Sequence, residues 1–195
     1  MRVPLKIGEN NLAIPYWPID HGDSVNYGYM DLKANPHLIA DVPQAKNWPE
    51  MIALLEAINS PASACHLLGC EKSFSSWSRT EEPHLNTKRV SYIDMAFDHI
   101  GLNADATLFD EMMGACAVFA QHRQFHRFVR FDSELTRTNY SRNNLHAWCL
   151  SIWLGGVGET ETQARAAWAT VVSVLNDFFS SGWAPNATVN TDAAQ

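Results

Sequence analysis

The segment Glu71-Lys72-Ser73-Phe74-Ser75-Ser76-Trp77-Ser78-Arg79 aligns, at an offset of 63 residues, with Glu134-Leu135-Thr136-Arg137-Thr138-Asn139-Tyr140-Ser141-Arg142. The glutamate, serine and arginine are identical, an aromatic residue precedes Ser-Arg in both, and two Ser/Thr exchanges lie between. A polar turn, an apolar strand and an amphipathic helix follow each copy. An internal repeat restricts the architecture more than any single motif does. It predicts two tandem β-β-α units.

The strand and helix periods agree with that expectation. One strand is predicted from Cys65 to Trp77 and the next from Arg89 to Phe97, where Ile93, Met95 and Phe97 share a face by the two-residue period. A helix follows from Ala104 to Gln121 with Leu108, Met112, Ala115 and Phe119 as its stripe. The second unit runs Phe128 to Thr138, Leu145 to Leu154, then a helix from Glu161 to Phe179 carrying Ala164, Trp168, Val171, Leu175 and Phe178. Leu150, Ile152 and Leu154 match Ile93, Met95 and Phe97 at an offset of 57, so the first hairpin loop is six residues longer. Thr160 with Gln163 forms a capping box, and Gly182 ends the last helix. Another helix is expected from Asn47, the predicted cap, with Glu50 three residues on and Met51, Leu54, Leu55 and Ile58 apolar.

The predicted fold class is therefore α+β. An antiparallel sheet from two β-β-α units has helices packed on one face. Residues 1–46, broken by five prolines, form an embellishment of one to three short strands and loops. Residues 47–182 form the duplicated domain with its capping helix, and residues 183–195 a flexible tail.

Strand parity separates two sheet faces. Leu68, Cys70 and Phe74, with Phe131, Ser133 and Leu135, fall on the helix side. The other face carries Glu71, Ser73, Ser75, Trp77 and Arg79 in one copy and Glu134, Thr136, Thr138, Tyr140 and Arg142 in the other. Tyr92, Asp94 and Asp98, then Cys149, Ser151 and Trp153, come from the neighbouring strands. A solvated face is satisfied by Glu, Arg and Ser/Thr pairs. Tyr92, Trp153, Trp77 and Tyr140 are many aromatics for water alone, and Tyr, Trp and Arg are the types enriched in interface cores. The candidate binding residues are thus Glu71, Trp77, Arg79, Tyr92, Asp94, Glu134, Tyr140, Arg142 and Trp153. Coverage by Val3 to Leu32 is the most economical arrangement, since that segment must pack somewhere.

Other patterns carry less. Cys65-His66-x3-Cys70 has no standard zinc spacing, and the odd separation puts the two cysteines on opposite faces of a strand. His122 and His126 lack the glutamate of a zincin helix. Gly155-Gly156-Val157-Gly158 reads as a strand-to-helix loop with neither a dinucleotide fingerprint nor a P-loop lysine. No metal and no cofactor is implied.

The net charge of -7 opposes attraction to phosphate backbones and anionic lipid, so neither nucleic acid nor a membrane is expected as a partner. No apolar run of spanning length and no secretory leader is visible, and the cysteines read as small buried hydrophobes. These features point to the cytoplasm. The leading expectation is a non-catalytic binding or assembly protein, a homodimer or a partner of a protein or peptide, acting through the aromatic sheet face. The alternative is an enzyme or small-molecule sensor with a pocket between the sheet and the N-terminal segment, using Asp94, Asp98, Glu71 or His66.

Overall fold

The computed structural model describes residues 5–20, 25–76, 84–125, 129–140 and 145–186. In chain order the elements are β1 (Leu5–Ile14), β2 (Ile19–Asp20), β3 (Val25–Asn26), α1 (Pro49–Ile58), β4 (Cys65–Ser76), β5 (Thr87–Phe97), α2 (Ala106–Gln121), β6 (Val129–Tyr140), β7 (Leu145–Gly158) and α3 (Glu161–Ser180). Short 3-10 turns at Pro36–Asp41 and Ile100–Ala104 precede α1 and α2. The fold is α+β. Five strands form the main sheet in the order β1-β6-β7-β5-β4, and β2 pairs with β3 as a separate ribbon.

The helices form where periodicity and caps agree. Thr160 Oγ1 accepts from Gln163 N–H at the start of α3, and Gln163 Oε1 accepts from Glu159 N–H. Gly182 ends α3 at φ 71°, a left-handed conformation that glycine adopts without a Cβ penalty. The predicted stripe of Ala164, Trp168, Val171, Leu175 and Phe178 is fully buried. Helix α2 begins two residues later than predicted because Asp105 caps it by accepting from Thr107 N–H. Its buried side includes Phe109, Met113 and Cys116, and leaves Ala115 and Phe119 only partly covered. At α1 the cap is Trp48 rather than Asn47, which takes φ 66° in the preceding turn.

All three helices pack on the sheet side that presents Ile93, Met95, Phe97, Phe131, Leu135, Leu150, Ile152 and Leu154, and together they form the main core. Asn103 is fully buried beside it, accepting from Phe97 N–H at 2.8 Å and donating to Phe97 O at 3.0 Å. The amide thereby satisfies the end of β5 as a further strand would.

The sheet departs from the expected arrangement in three places. It is mixed rather than wholly antiparallel, because β1 runs parallel to β6, with Leu5 opposite Ser133 and Ile14 opposite Tyr140. A long connection separates these strands, so no hairpin dictates their direction. Next, a bulge between Leu67 and Gly69 turns Leu68 away from the helices. It joins Ile14, Ala96, Tyr140, Ala147 and Cys149 in a satellite cluster on the opposite face. The same bulge puts Cys65 and Cys70 on one face, opposite Phe97 and Ile93, so the odd-separation argument fails. Finally, Gly155 to Gly158 is not a loop: β7 continues through Gly158 while α3 lies directly over it. A Cβ on Gly156 would stand 2.2 Å from Trp168 N and one on Gly158 2.6 Å from Ala164 N, so these two glycines serve close strand-to-helix approach.

Candidate functional site

The N-terminal segment returns across the face that the helices leave open. Leu12, Tyr16 and Tyr29 pack against the satellite cluster, and Tyr29 N–H bonds Tyr16 O at 3.0 Å to close the intervening loop. Tyr16 reaches the far edge of the sheet, where its hydroxyl donates to Leu68 O at 3.0 Å. The bulge exposes that carbonyl at an edge strand, and the tyrosine satisfies it.

A cavity of about 420 Å³ remains between this segment and β4 and β5. Its walls are Leu12, Tyr16, Tyr27, Met30, Leu32 and Val42 on one side, and Leu67 to Glu71, Tyr92 and Asp94 on the other, with Gln44 at the border. Gly69 is why the two walls can come close. A Cβ there would stand 2.9 Å from the Tyr16 hydroxyl and 3.7 Å from Asp94 Oδ2, so the phenol and the carboxylate converge above this glycine.

Asp94 lies in a row that crosses the sheet from Gly69 through Asp94 and Ser151 to Glu134 and Lys6. Ser151 Oγ–H donates to Asp94 Oδ1 at 2.5 Å. Burial pushes the Asp94 carboxyl up to about 6; the Ser151 hydrogen bond works against the rise, and the charge on Glu134 adds to it. A hydroxyl donor stabilises the carboxylate without cancelling its charge. The neighbouring phenols respond in the same sense. Burial, with Asp94 behind it, raises Tyr16, and the same two causes with Glu71 push Tyr92 up to about 12. Burial, then Glu71 and Asp94, push the Cys70 thiol up to about 12, so it stays protonated.

Three of the candidate residues meet in this cavity: Glu71, Tyr92 and Asp94. Trp153 lies just outside it, with its ring 4.8 Å from that of Tyr92 and 5.0 Å from the Arg130 guanidinium, which also bonds Asp132. Glu134 turns towards β1, where its carboxylate lies over Gly8. Tyr140 is buried in the satellite cluster, 3.5 Å from Asn103 Nδ2. Trp77, Arg79 and Arg142 lie outside the described residues.

Asp98 and His66, the other acid and base considered, are occupied elsewhere. Asp98 is ion-paired with Lys33 and bonds His66 Nδ1 at 3.2 Å. Burial opposes ionisation of Asp98, but the hydrogen bonds from His66 and Lys33 outweigh it and hold the carboxyl below its usual range. Lys33 also donates to Ser63 O and Cys65 O, which pins the N-terminal segment to the start of β4. Cys65 is buried with its sulfur 3.7 Å from that of Met112. Among the described residues no group of three or more His, Cys, Asp or Glu is arranged to hold a metal ion, and no helix is long and apolar enough to cross a membrane.

Tyr16 and Tyr27, which supply two of the three tyrosines of the cavity, are not predictable as site residues. Each sits in a proline-punctuated stretch with no period to assign it a face. Comparison with protein-family models, with curated proteins and with solved structures finds no match to this chain.

Proposed function

We propose that this protein binds a small molecule in the cavity between the open sheet face and the N-terminal segment, and that Asp94 orients it. The observation that carries this reading is Asp94 itself. Its carboxylate borders a cavity of ligand size, has the Ser151 hydroxyl as its hydrogen-bond donor, and has an affinity for protons raised by burial. Apolar concavities with a few convergent polar groups of perturbed pKa are characteristic of binding sites. The remaining wall offers aliphatic and aromatic side chains among exposed polar atoms, which suits an amphipathic ligand. Binding rather than turnover is the reading we favour, because the thiol that lines the cavity, Cys70, is held protonated by burial and by the neighbouring Glu71 and Asp94.

We also read the two β-β-α units as copies. The order β6-β7-β5-β4 places their second strands side by side and antiparallel, as a local two-fold would. At the offset of 57, Asp94 and Ser151 are equivalent positions, and they face each other across that pair. The glutamates are two residues out of step: Glu71 lies opposite Tyr92, but Glu134 lies opposite Ser151. The reading thus rests on strand order and the 57-residue spacing rather than on the repeated Glu-to-Arg motif.

The test is a fragment screen by ligand-observed NMR on wild type and on Gly69→Val. Valine suits a strand, but its branches enter the space shared by Tyr16 and Asp94. Fragments that bind wild type are expected to lose about tenfold or more in affinity on the variant, provided its circular dichroism and Tm show it folded. A set of binders indifferent to the valine would remove this cavity as the site.

A further inference from the structure

We infer that the cavity selects ligands carrying a positively charged nitrogen on an apolar or aromatic body. This rests on the proposed site and narrows it to a chemical class.

Among the described residues the walls carry two carboxylates, Glu71 and Asp94, three tyrosine rings and no Lys, Arg or His. Three described cations of the neighbouring elements are committed to other partners. Lys33 is paired with Asp98, and Lys72 lies over Trp48 while donating to Lys46 O. Arg130 is paired with Asp132. Among the described residues no ion pair reaches either cavity carboxylate. A cationic ligand would supply the missing counter-charge, and the low-dielectric surroundings of Asp94 would strengthen that pair. The faces of Tyr16, Tyr27 and Tyr92 carry negative quadrupole charge and add cation–π attraction where water is excluded. An anionic ligand would meet two like charges and no compensating donor of full charge, which is the repulsive half of a selective site.

The two acids have different duties. Asp94 is the deeper group, takes the Ser151 hydroxyl as donor and fixes the nitrogen; Glu71 is exposed nearer the mouth, where it accepts from Lys72 N–H and water screens it. The titratable groups facing Asp94 are Glu134 from β6, Cys149 from β7, Tyr92 from β5, Cys70 and Glu71 from β4, and Tyr16 from the N-terminal segment. None of them carries a positive charge, so ionised Asp94 is left for the ligand to neutralise. Amine binding is then tied to release of the Asp94 proton, and affinity falls as the solution is acidified through the range in which that carboxyl protonates.

The experiment uses three probes of matched size on the full chain: 2-phenylethylamine, 2-phenylethanol and 3-phenylpropanoate, titrated by NMR at about pH 7.5, where Asp94 is ionised. The amine is expected to bind about tenfold tighter than the alcohol, and the carboxylate weakest. Asp94→Asn, which keeps the shape and removes the charge, should bring the affinity for the amine down to that for the alcohol. Glu71→Gln should weaken the amine by only about threefold, as its more solvated position implies. Equal or tighter binding of the alcohol or the carboxylate, in competition with Gly69→Val-sensitive fragments, overturns the charge preference and leaves the site standing. Absence of any Gly69→Val-sensitive fragment removes the site, and this inference with it.

Discussion

A single methyl group at position 156 is expected to destabilise the protein by about 3 kcal/mol, the upper part of the range for overpacked interiors. The Cβ of Gly156→Ala would lie 2.2 Å from Trp168 N, 2.6 Å from Ala164 O and 2.8 Å from Ala167 C. All three are backbone atoms of α3, so no side-chain rotation relieves the contact. The helix would have to retreat by roughly 1 Å, which forfeits part of every dispersion contact it makes with the sheet. Trp168 would move with it, and this side chain is fully buried, donates from Nε1 to Ser91 Oγ at 2.8 Å and meets Trp48 edge-on at 4.8 Å. Gly114 provides the control. It lies on the exposed side of α2, and a methyl group there would meet nothing within 4 Å, so Gly114→Ala should stabilise by about 0.5–1 kcal/mol through helix propensity alone. Urea denaturation of both variants checks the pair. Equal effects would mean that α3 does not rest on β7 as described.

Asp94→Asn is expected to make the protein more stable at neutral pH and to remove the cation preference proposed for the cavity. The sign follows from proton linkage. The folded carboxyl titrates at about 6, against 3.8 for an unperturbed aspartate, so the folded state binds more protons between these values. Below about pH 3 the group is neutral in both states and carries no penalty. As pH rises through 4 to 6 the penalty appears, and above that it is present in full, about 2–3 kcal/mol at 1.36 kcal/mol per unit. Asparagine is neutral throughout. The stability difference between variant and wild type should therefore grow by about this amount between pH 4 and pH 7.5, measured by urea denaturation at the two pH values. Any offset from altered hydrogen bonding to Ser151 is common to both pH values and drops out. A difference that does not change with pH would mean that Asp94 is not desolvated.

The pattern of strands and helices in residues 47–182 can be read from period and caps because those signals are local. The α3 stripe and the alternation Ile93, Met95, Phe97 are each set by one periodic face against one core. Parity also places Tyr92, Asp94, Ser151 and Trp153 together on the open face, and the register shows their cross-strand pairing. What escapes depends on longer-range geometry. The bulge at Leu68 adds one residue without any composition cue, and it reverses the faces of everything N-terminal to it in β4. Strand β1, Leu-Lys-Ile-Gly-Glu-Asn-Asn-Leu-Ala-Ile, has a polar break at its centre where the register to β6 shifts, so neither its length nor its parallel pairing is visible. The glycine run resembles a loop because glycine serves turns and close approaches equally. The cavity itself is built half from Tyr16, Tyr27, Met30 and Leu32, whose positions depend on how a proline-broken segment drapes over the sheet.

Where a bound molecule sits is the measurement that bears most directly on the account: amide chemical-shift mapping of the full chain as 2-phenylethylamine is added to saturation. The largest shifts are expected on Leu12 to Tyr16, Tyr27 to Leu32, Leu67 to Glu71 and Tyr92 to Asp94, and Asp94→Asn should suppress them together. Saturable shifts centred instead on the groove at His84, Phe125 and Gln163, or on the helix side of the sheet, would contradict it.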